Sequence, residues 1–254
     1  SSEFKEISKF SNVTYYNFKA VKFYNNKDIL KYPKLVFSIL KALHILIKQK
    51  PNLLLSFGGY IAVPFAVAAK ILGIPIVTHE QTMQEGLANK LIAKIANKIL
   101  LSWYNDSIKD SRYHVVGIPI RQSILNIKTN SSRDFDTLLI QGGKQASHIL
   151  NKFVFNNIDF LTKNFKNIYH QTGKNSQNKD YETGLKLGKK YKNYNSFDYK
   201  ASNDFAEILG KTDVTLARSG AHTCMDVAFL KTPTIFVPIP WASFNEQQEN
   251  AENT

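Results

Sequence analysis

Cysteine is almost absent from this sequence, which limits how the fold can be held together. The 254 residues include a single cysteine, Cys224, so no disulfide can form within the chain. Disulfide frameworks belong to oxidising compartments, whereas a chain with one thiol fits a reducing cytoplasm. Cys224 falls on a predicted helix, where we expect it to be a small buried residue.

The sequence also predicts no metal site, and its opening residues do not read as a secretion signal. The six histidines are scattered, and none shows a spacing typical of metal ligands, so no metal site is expected. The chain opens with SSEFKEISKF, which carries charges where a secretory signal would have its apolar core. The 43% hydrophobic share is enough for a core, and the length suits one large domain or two ordinary ones.

Acidic residues are scarce in the first half of the chain. Residues 1–122 hold 17 Lys and Arg against 7 Asp and Glu, a net charge of +10. Residues 123–254 hold 16 against 13, a net charge of +3. A basic half beside a nearly neutral half predicts an anionic partner for the first half, and lipid headgroups, nucleic acid or simple solubility would each account for it.

Residues 29–50 read ILKYPKLVFSILKALHILIKQK and predict a basic, apolar helix with Pro33 in its first turn. Lys34, Lys41 and Lys48 recur every seven residues and so share one stripe of the helix. The lysines interrupt the run too often for a bilayer span of roughly 20 apolar residues, but the pattern suits the plane of an anionic membrane. The alternative is a helix that packs on the core with its lysines in water. Nucleic acid is not expected, because no aromatic and basic interleaving of a known module appears.

Strand and helix patterns alternate along the chain and predict an α/β fold. Strands are expected over residues 13–18, 53–57, 76–79, 99–102, 114–116, 137–140, 168–171, 214–216 and 233–237. Beyond the basic helix, helices are expected over residues 62–72, 87–96 and 223–230, with a loop and a surface helix in 174–192. The polar stretch 126–136 separates two halves, so we predict two domains, residues 1–122 and 123–254.

Pairs of glycines follow two of the expected strands, Gly58-Gly59 in the first half and Gly142-Gly143 in the second. A single glycine pair is weak evidence, because glycine commonly serves a tight turn. Open α/β sheets, however, bind ligands at the carboxyl ends of their strands. Two such pairs in comparable positions therefore predict two Rossmann-like halves whose edges face each other across a cleft. One edge would bind a nucleotide-sugar donor and the other an acceptor.

A third turn, Arg218-Ser219-Gly220-Ala221, joins the expected strand 214–216 to the helix that follows. Its small residues allow backbone N–H groups and the helix N-terminus to approach an anion closely. Asp226, further along the same helix, is placed to accept a sugar hydroxyl. This layout suits a nucleotide diphosphate, although an ordinary βαβ turn with a solvated carboxylate would have the same sequence.

Several motifs occur in order between about Gly58 and Ala251. They are FGGYIAVPFAVAAKILGIPIVTHEQ, GLANKLIAKIA, GIPIR, GGKQASHILN, YHQTG, ARSGAHT and the closing Asn/Gln cluster. In these motifs the chain resembles the MurG-type transferases of peptidoglycan synthesis. That family moves N-acetylglucosamine from UDP-N-acetylglucosamine to a lipid-linked muramyl-pentapeptide, with inversion and without a metal, on a two-domain GT-B fold.

The resemblance implies roles for individual residues. His79, Glu80 and Tyr60 are the catalytic candidates. The acceptor and cleft positions that it implies are Gly58, Gly59, Asn89, Gly142, Gly143 and Asn151. The donor-binding positions that it implies are Thr82, Arg121, Lys144, Ser202, Arg218, Ser219, Gly220, Ala221, His222, Thr223, Asp226, Gln247 and Asn250.

The sequence departs from the family pattern at several points. Thr82 stands where the family usually has Asn, Lys144 where it usually has Ser, and Asp226 where it usually has Glu. Lys144 beside a diphosphate would add charge attraction. The family's first glycine-rich loop is not present, and the chain stops soon after the Asn/Gln cluster. Both domains are therefore expected to be incomplete, as in a fragment or in a protein without part of the acceptor site.

Together these patterns predict an α/β, GT-B-like pair of Rossmann-like domains with parallel sheets. The resemblance implies an inverting glycosyltransferase that uses UDP-N-acetylglucosamine and a lipid-linked muramyl-pentapeptide and needs no cofactor. It also implies peripheral attachment to the anionic inner surface of the plasma membrane, on its cytoplasmic face. A UDP-sugar epimerase of the same fold and a non-catalytic nucleotide-sugar or membrane-binding module are the alternatives. Glu80 is either the general base or a residue that orients its neighbours.

Overall fold

The computed structural model describes residues 7, 10–20, 31–83, 85–104, 107–127, 134–143, 146–174, 178–240 and 245–254. Within these residues the chain forms two compact units, which are considered separately below. The first unit comprises residues 1–81 and 85–117, and the second comprises residues 82–84 and 118–254. The structure divides the chain after residue 117, whereas the sequence predicted a boundary after residue 122. Most of the expected linker, together with Lys144, lies outside the described residues.

The first unit contains a parallel sheet of four strands in the order β1-β2-β3-β4. Its elements are α1 (Lys31–Gln49), β1 (Leu54–Ser56), α2 (Ala62–Ile71), β2 (Ile76–Glu80), α3 (Leu87–Ala93), β3 (Lys98–Leu101) and β4 (Tyr113–Val115). The helices of this unit bury small residues. Ala66, Ala68 and Ala69 of α2 are fully buried beside Ala42 and Leu46 of α1. Such small side chains allow α1 to pack closely on α2, and both helices cover the core of the sheet.

The second unit contains a parallel sheet of five strands in the order β7-β6-β5-β8-β9. Its elements are α4 (Gln122–Leu125), β5 (Thr137–Gln141), α5 (His148–Asn156), α6 (Ile158–Asn164), β6 (Asn167–Gln171), α7 (Asp180–Lys190), β7 (Tyr194–Phe197), α8 (Ser202–Lys211), β8 (Val214–Ala217), α9 (Ala221–Phe229), β9 (Thr234–Phe236) and α10 (Glu246–Glu252). All five residues of β5 are buried, as expected of a central parallel strand covered on both faces. The predicted α/β class with parallel sheets is confirmed.

One expected strand is absent, and the prediction for residues 13–18 was wrong. Residues 13–18 form no helix or strand in the structure. β1 pairs with β2, and no described residue before β1 adds a strand to the sheet. Val13 is 49% exposed, whereas the ring of Phe18 packs on Phe65 with its centroid 4.7 Å away. Tyr16 also contacts Gln49 through its hydroxyl, so side-chain contacts hold this segment, but without a neighbouring strand it cannot form a ladder.

Candidate functional site

The carboxyl ends of β5 and β8 are the centre of the candidate site in the second unit. The sheet order reverses at this pair, because β6 and β7 extend from one side of β5 while β8 and β9 extend from the other. Gln141 and Ala217 are paired residues at the two strand ends, and the Arg218 backbone N–H donates to the Gln141 carbonyl at 3.2 Å. Open α/β sheets bind ligands at such a switch point. The structure therefore brings together the Gly142-Gly143 turn and the turn 218–221.

The turn after β5 folds back tightly on itself. A Cβ added to Gly142 would lie 2.3 Å from the backbone nitrogen of Ser147 and 2.6 Å from the carbonyl carbon of Ala146, so no larger residue fits there. Gly143 has a φ of +80°. Ala146 has a φ of +57°, a left-handed conformation that strains any residue with a Cβ. The requirement for glycine at Gly142 is therefore steric.

Arg218 links this turn to the loop after β9. Its Nε and Nη2 donate to the Ser147 hydroxyl at 3.2 and 2.9 Å, and its Nη1 donates to the carbonyls of Val237 and Pro238 at 2.7 and 2.9 Å. Arg218 is 5% exposed, and burial lowers the pKa of its guanidinium. The side chain that we predicted to contact the donor is thus committed to internal acceptors, and it positions the two loops.

Ser219 and Asn250 connect the turn after β8 to α10. The Ser219 hydroxyl donates to the Gln247 carbonyl at 2.6 Å, and Asn250 Nδ2 donates to the Ser219 carbonyl at 3.1 Å. Both residues are fully buried, and the Asn250 Oδ1 has no hydrogen-bond partner among the described residues. The Gln247 side chain accepts the backbone N–H of Ile239 at 3.1 Å. These bonds place the Asn/Gln cluster at the predicted donor edge.

Asp226 and Arg121, both predicted to contact the donor, form an ion pair. Arg121 Nη2 lies 2.7 Å from Asp226 Oδ2, and the two side chains are 42% and 8% exposed. Burial raises the pKa of the Asp226 carboxyl, although Arg121 acts in the opposite direction. The Arg121 guanidinium also stacks over Phe205, with its Cζ 5.7 Å from the ring centroid. The pair therefore gives the edge a half-exposed cation and a buried carboxylate.

The remaining predicted donor residues of the second unit surround the start of two helices. Gly220 precedes α9 as its N-cap, with Ala221 as the first helical residue. His222 is exposed and Thr223 is half-buried. Ser202 opens α8 on the surface, and its carbonyl accepts the Ser123 hydroxyl at 3.4 Å.

Asn151, predicted as a cleft residue, lies in the interior of the second unit at 1% exposure. Its Nδ2 donates to the Thr172 carbonyl at 2.9 Å and to Asp180 Oδ2 at 2.7 Å. Its Oδ1 therefore accepts, and His170 Nε2 lies 2.9 Å away as the donor. His170 Nδ1 then accepts the Tyr194 hydroxyl at 2.7 Å. These bonds satisfy the Asn151 amide without a ligand.

His170 is uncharged in this network. Burial lowers the pKa of His170 to about 3 and raises the pKa of Tyr194. A neutral ring can donate from one nitrogen and accept at the other, which matches both of its contacts. The network is therefore a set of neutral hydrogen bonds that ends on the Asp180 carboxylate.

In the first unit, His79, Glu80 and Asn89 lie together at the end of β2. Glu80 Oε2 accepts the backbone N–H of Gly86 at 2.9 Å and Asn89 Nδ2 at 2.8 Å. Asn89 Oδ1 accepts the Thr78 hydroxyl at 2.9 Å. Glu80 is 5% exposed. The Glu80 carboxylate thus fixes Asn89 and the Gly86 backbone, while the two roles that the sequence left open for Glu80 stay predictions.

Gly58 lies against the same cluster. It has a φ of +76°, and an added Cβ would lie 2.8 Å from Asn89 Nδ2. His79 Nε2 is 2.9 Å from the Gly117 carbonyl and therefore donates to it, while the ring packs edge-on against Phe57 at 5.7 Å. The ring is 2% exposed. The Gly58 turn is thus shaped by contact with Asn89.

Three other predicted residues of the first half are less constrained. Gly59 has a φ of +77° with open space around it. Tyr60 is half-buried immediately before α2, and Thr82 lies in the bend after β2. Their roles stay predictions. Cys224, by contrast, is fully buried, as expected.

Three residues that contact the candidate site residues were not predicted from the sequence: Ser147, Asp180 and Phe205. Ser147 is the N-cap residue of α5 and accepts two bonds from Arg218. Asp180 opens α7, and Phe205 lies under Arg121. An N-cap pattern could have indicated Ser147, but the sequence carries no signal for the other two contacts.

The described residues were also searched for metal sites and for membrane-spanning helices. Across the part of the chain that the structure describes, no group of three or more His, Cys, Asp or Glu could hold a metal ion. None of the helices described here has both the length and the apolar character needed to cross a bilayer.

Known families match both halves of the chain. The glycosyltransferase family 28 N-terminal domain matches residues 2–101, and the glycosyltransferase family 28 C-terminal domain matches residues 137–254. A UDP-N-acetylglucosamine–N-acetylmuramyl-(pentapeptide) pyrophosphoryl-undecaprenol N-acetylglucosamine transferase from Clostridium botulinum is 32% identical, over 98% of this chain and 71% of the relative. The chain spans 60–71% of the length of the curated relatives that carry this name.

Solved structures share the fold. The crystal structure of MurG from Acinetobacter baumannii superposes with a TM-score of 0.71 at 24% identity, over 99% of this chain and 70% of that one. A UDP-N-acetylglucosamine 2-epimerase from Neisseria meningitidis has a TM-score of 0.60 at 14% identity, over 91% and 69% of the two chains. These likenesses extend the GT-B assignment to both halves of the chain. With the family matches and the identity above, they lead to one conclusion: the chain belongs to glycosyltransferase family 28 and, within it, to the MurG-type N-acetylglucosaminyltransferases.

Proposed function

We propose that this protein transfers N-acetylglucosamine from UDP-N-acetylglucosamine to a lipid-linked muramyl-pentapeptide. The observation that carries the proposal is the edge formed by β5 and β8, where two turns, an ion pair and the Asn/Gln cluster meet in one unit. The curated relatives are named for this reaction. The same edge provides backbone N–H groups for a diphosphate and a buried carboxylate for a ribose.

Each part of the donor has a proposed partner. Backbone N–H groups at Gly142-Gly143 and at 219–221 face the diphosphate, where helix and turn dipoles favour an anion. Lys144 adds a positive charge. Asp226 accepts the ribose hydroxyls, and Gln247 contacts the sugar. In this arrangement the negative charge of the leaving UDP is stabilised by N–H groups and by Arg121, and no metal is required.

The proposed reaction inverts the anomeric carbon. The acceptor hydroxyl attacks that carbon from the face opposite the diphosphate, the bond from the carbon to the phosphate oxygen breaks, and UDP departs with the bonding electrons. The proton of the hydroxyl passes to a base. Glu80 holds the Gly86 N–H and Asn89 through its carboxylate, so we assign it a positioning role on the acceptor side.

The donor assignment is tested by titrating the full chain with UDP and with UDP-N-acetylglucosamine. Asp226→Ala removes a charged hydrogen-bond acceptor worth about 1.5–3 kcal/mol, so UDP binding should weaken by roughly ten- to a hundredfold. Gln247→Ala should leave UDP affinity unchanged and weaken UDP-N-acetylglucosamine. The exposed neighbours Asp204 and Gln248 provide matched controls, and their alanine variants should bind like the wild type.

Equal losses for both ligands in Gln247→Ala would refute the proposed division between nucleotide and sugar contacts. Failure of the wild type to bind UDP would refute the donor site itself. Incubation with UDP-N-acetylglucosamine alone separates the alternatives, because an epimerase would convert the sugar without an acceptor. A non-catalytic module would bind the nucleotide sugar and convert nothing in the presence of the lipid-linked acceptor.

We further propose that α1 holds the protein at the anionic inner surface of the plasma membrane, on its cytoplasmic face. Four large apolar side chains of α1, those of Val36, Phe37, Leu40 and Ile47, are 56–70% exposed. Lys34, Lys41 and Lys48 are exposed along the adjoining stripe. The opposite side of α1 packs into the core through Ala42 and Leu46. An exposed apolar strip bordered by cations suits a helix that lies in the interface of an anionic bilayer.

Sedimentation with liposomes of anionic and of zwitterionic lipid tests the α1 surface. Each lysine near an anionic surface contributes about 1 kcal/mol, so changing Lys34, Lys41 and Lys48 to Glu should weaken binding by at least a hundredfold. Added salt should release the wild type in the same way. The same triple change at Lys186, Lys189 and Lys190 of α7 gives a variant with equal net charge, and it should still bind. Unchanged binding of the α1 variant would refute the membrane proposal.

A further inference from the structure

His148 and Asp180 form a contact that the proposed reaction does not yet use. His148 is the first residue of α5, directly after the turn that begins at Gly142. Its Nδ1 lies 3.0 Å from each carboxylate oxygen of Asp180. A carboxylate can only accept, so Nδ1 carries the hydrogen. The imidazole is about half exposed, whereas the Asp180 side chain is 6% exposed.

Asp180 is fixed in place from the interior. Its Oδ2 also accepts Asn151 Nδ2 at 2.7 Å, and the same nitrogen reaches the Thr172 carbonyl after β6. Asn151 is further held by His170 at 2.9 Å. The carboxylate that meets His148 is therefore part of a buried network and not a mobile surface group.

Ala146, at the end of the turn, needs such support. Ala146 adopts a left-handed conformation with a φ of +57°, and strained residues of this kind persist where the surroundings over-determine them. At the end of the turn, Arg218 holds the Ser147 hydroxyl with two hydrogen bonds. Asp180 holds the next residue, His148. Ala146 is thus followed by Ser147 and His148, which form hydrogen bonds to two different buried charged groups.

We infer that His148 and Asp180 act as a clamp that holds Ala146 and Ser147 against Gly142 and Gly143, where we propose that an anionic diphosphate ligand binds. His148 is a positioning residue, because it acts through the turn and not on the reacting atoms. The expected effect of the clamp on ligand binding rests on the proposed donor site. Its effect on the turn itself does not depend on that proposal.

The test uses the full chain with His148→Ala, His148→Asn and, as a control, Lys152→Ala. Asn places an amide nitrogen close to the position of Nδ1, so it can still donate to Asp180. Lys152 lies on the exposed side of the same helix, and its change removes a cation without touching the clamp. UDP affinity by calorimetry and amide hydrogen exchange across 140–150 are measured for each variant.

We expect His148→Ala to weaken UDP binding about tenfold, which corresponds to about 1.4 kcal/mol. Exchange of the turn amides should speed up by a similar factor, while the urea midpoint of the chain changes little. His148→Asn should restore both properties, and Lys152→Ala should affect neither. A merely structural contact would lower the urea midpoint without the selective effect on the turn.

Wild-type exchange of the turn amides in His148→Ala would overturn the clamp. The same conclusion would follow if His148→Asn were as defective as His148→Ala. If the wild type fails to bind UDP, the proposed donor site is refuted, and the exchange measurements still decide whether the clamp exists. If UDP binds the wild type and His148→Ala equally well, the clamp has no role in binding and the inference fails.

Discussion

Replacing Asn151 by Ala distinguishes a ligand-binding residue from an interior one. The resemblance implied a cleft role for Asn151, whereas the structure buries it with three hydrogen bonds, to Thr172, Asp180 and His170. A ligand contact predicts weaker binding by a stable protein. An interior role predicts a large loss of stability, because three buried partners would lose their bonds at once.

The expected size follows from the bonds. The two bonds to neutral partners contribute about 1 kcal/mol each, and the bond to the Asp180 carboxylate about 1.5–3 kcal/mol. Ala gains roughly 0.5 kcal/mol over Asn in the interior of a helix. The net destabilisation of Asn151→Ala should therefore be about 3–4.5 kcal/mol, which is a large share of the 5–15 kcal/mol typical of a domain.

The measurement is urea unfolding with hydrogen exchange of the β6 and β7 amides, because these amides report the second unit alone. Asn164→Ala serves as the control. Its Nδ2 also donates to a backbone carbonyl, that of Phe160 at 2.8 Å, but at an exposed position, so the change should be within about 0.5 kcal/mol. The reasoning is refuted if Asn151→Ala is as stable as Asn164→Ala, and in that case the cleft role regains support.

Three further changes test other contacts. Burial raises the pKa of Asp226, so the stability that this group contributes is present at low pH and falls as pH rises from its unfolded pKa through the raised folded pKa. Asp226→Asn should therefore raise the thermal midpoint at pH 7 while UDP binding weakens. An unchanged midpoint in calorimetry would contradict this. Gly58→Ala should destabilise the first unit by about 1–3 kcal/mol, because the new Cβ would meet Asn89 Nδ2 at 2.8 Å, and urea unfolding measures it. Ala146→Gly should stabilise the second unit by up to about 1 kcal/mol, provided that relief of the left-handed strain exceeds the entropy of the added glycine, and a lower urea midpoint would show that it does not.

The fold was largely predictable because its signals are local. Short apolar runs that end in Gly58 or Gly142 predicted the strands, and the structure confirms them to within a few residues. The prediction for residues 13–18 failed because a short run rich in Val, Thr and Tyr does not show whether a neighbouring strand exists. The prediction of β1 carried no such ambiguity, because it rested on an apolar run directly before Gly58.

The site was less predictable, because its contacts join residues far apart in the chain. Arg218 lies in a small-residue turn that correctly indicated a special edge, but its acceptors include the carbonyls of Val237 and Pro238 and the hydroxyl of Ser147. No sequence pattern distinguishes a guanidinium that binds a ligand from one that binds backbone carbonyls. The donor roles implied by the resemblance stay predictions until ligand binding is measured.

The buried charges near the β5–β8 edge indicate that this part of the unit holds its loops in fixed positions. Arg218 and Asp180 are 5% and 4% exposed, and burying a charge carries a desolvation penalty that hydrogen bonds only partly offset. Apolar residues of similar volume would often serve stability as well or better. Instead, the two charges hold Ser147 and His148, the two residues that directly follow the strained Ala146. Such an arrangement is what we expect if the turn presents its N–H groups to an anion in one fixed geometry, as proposed above.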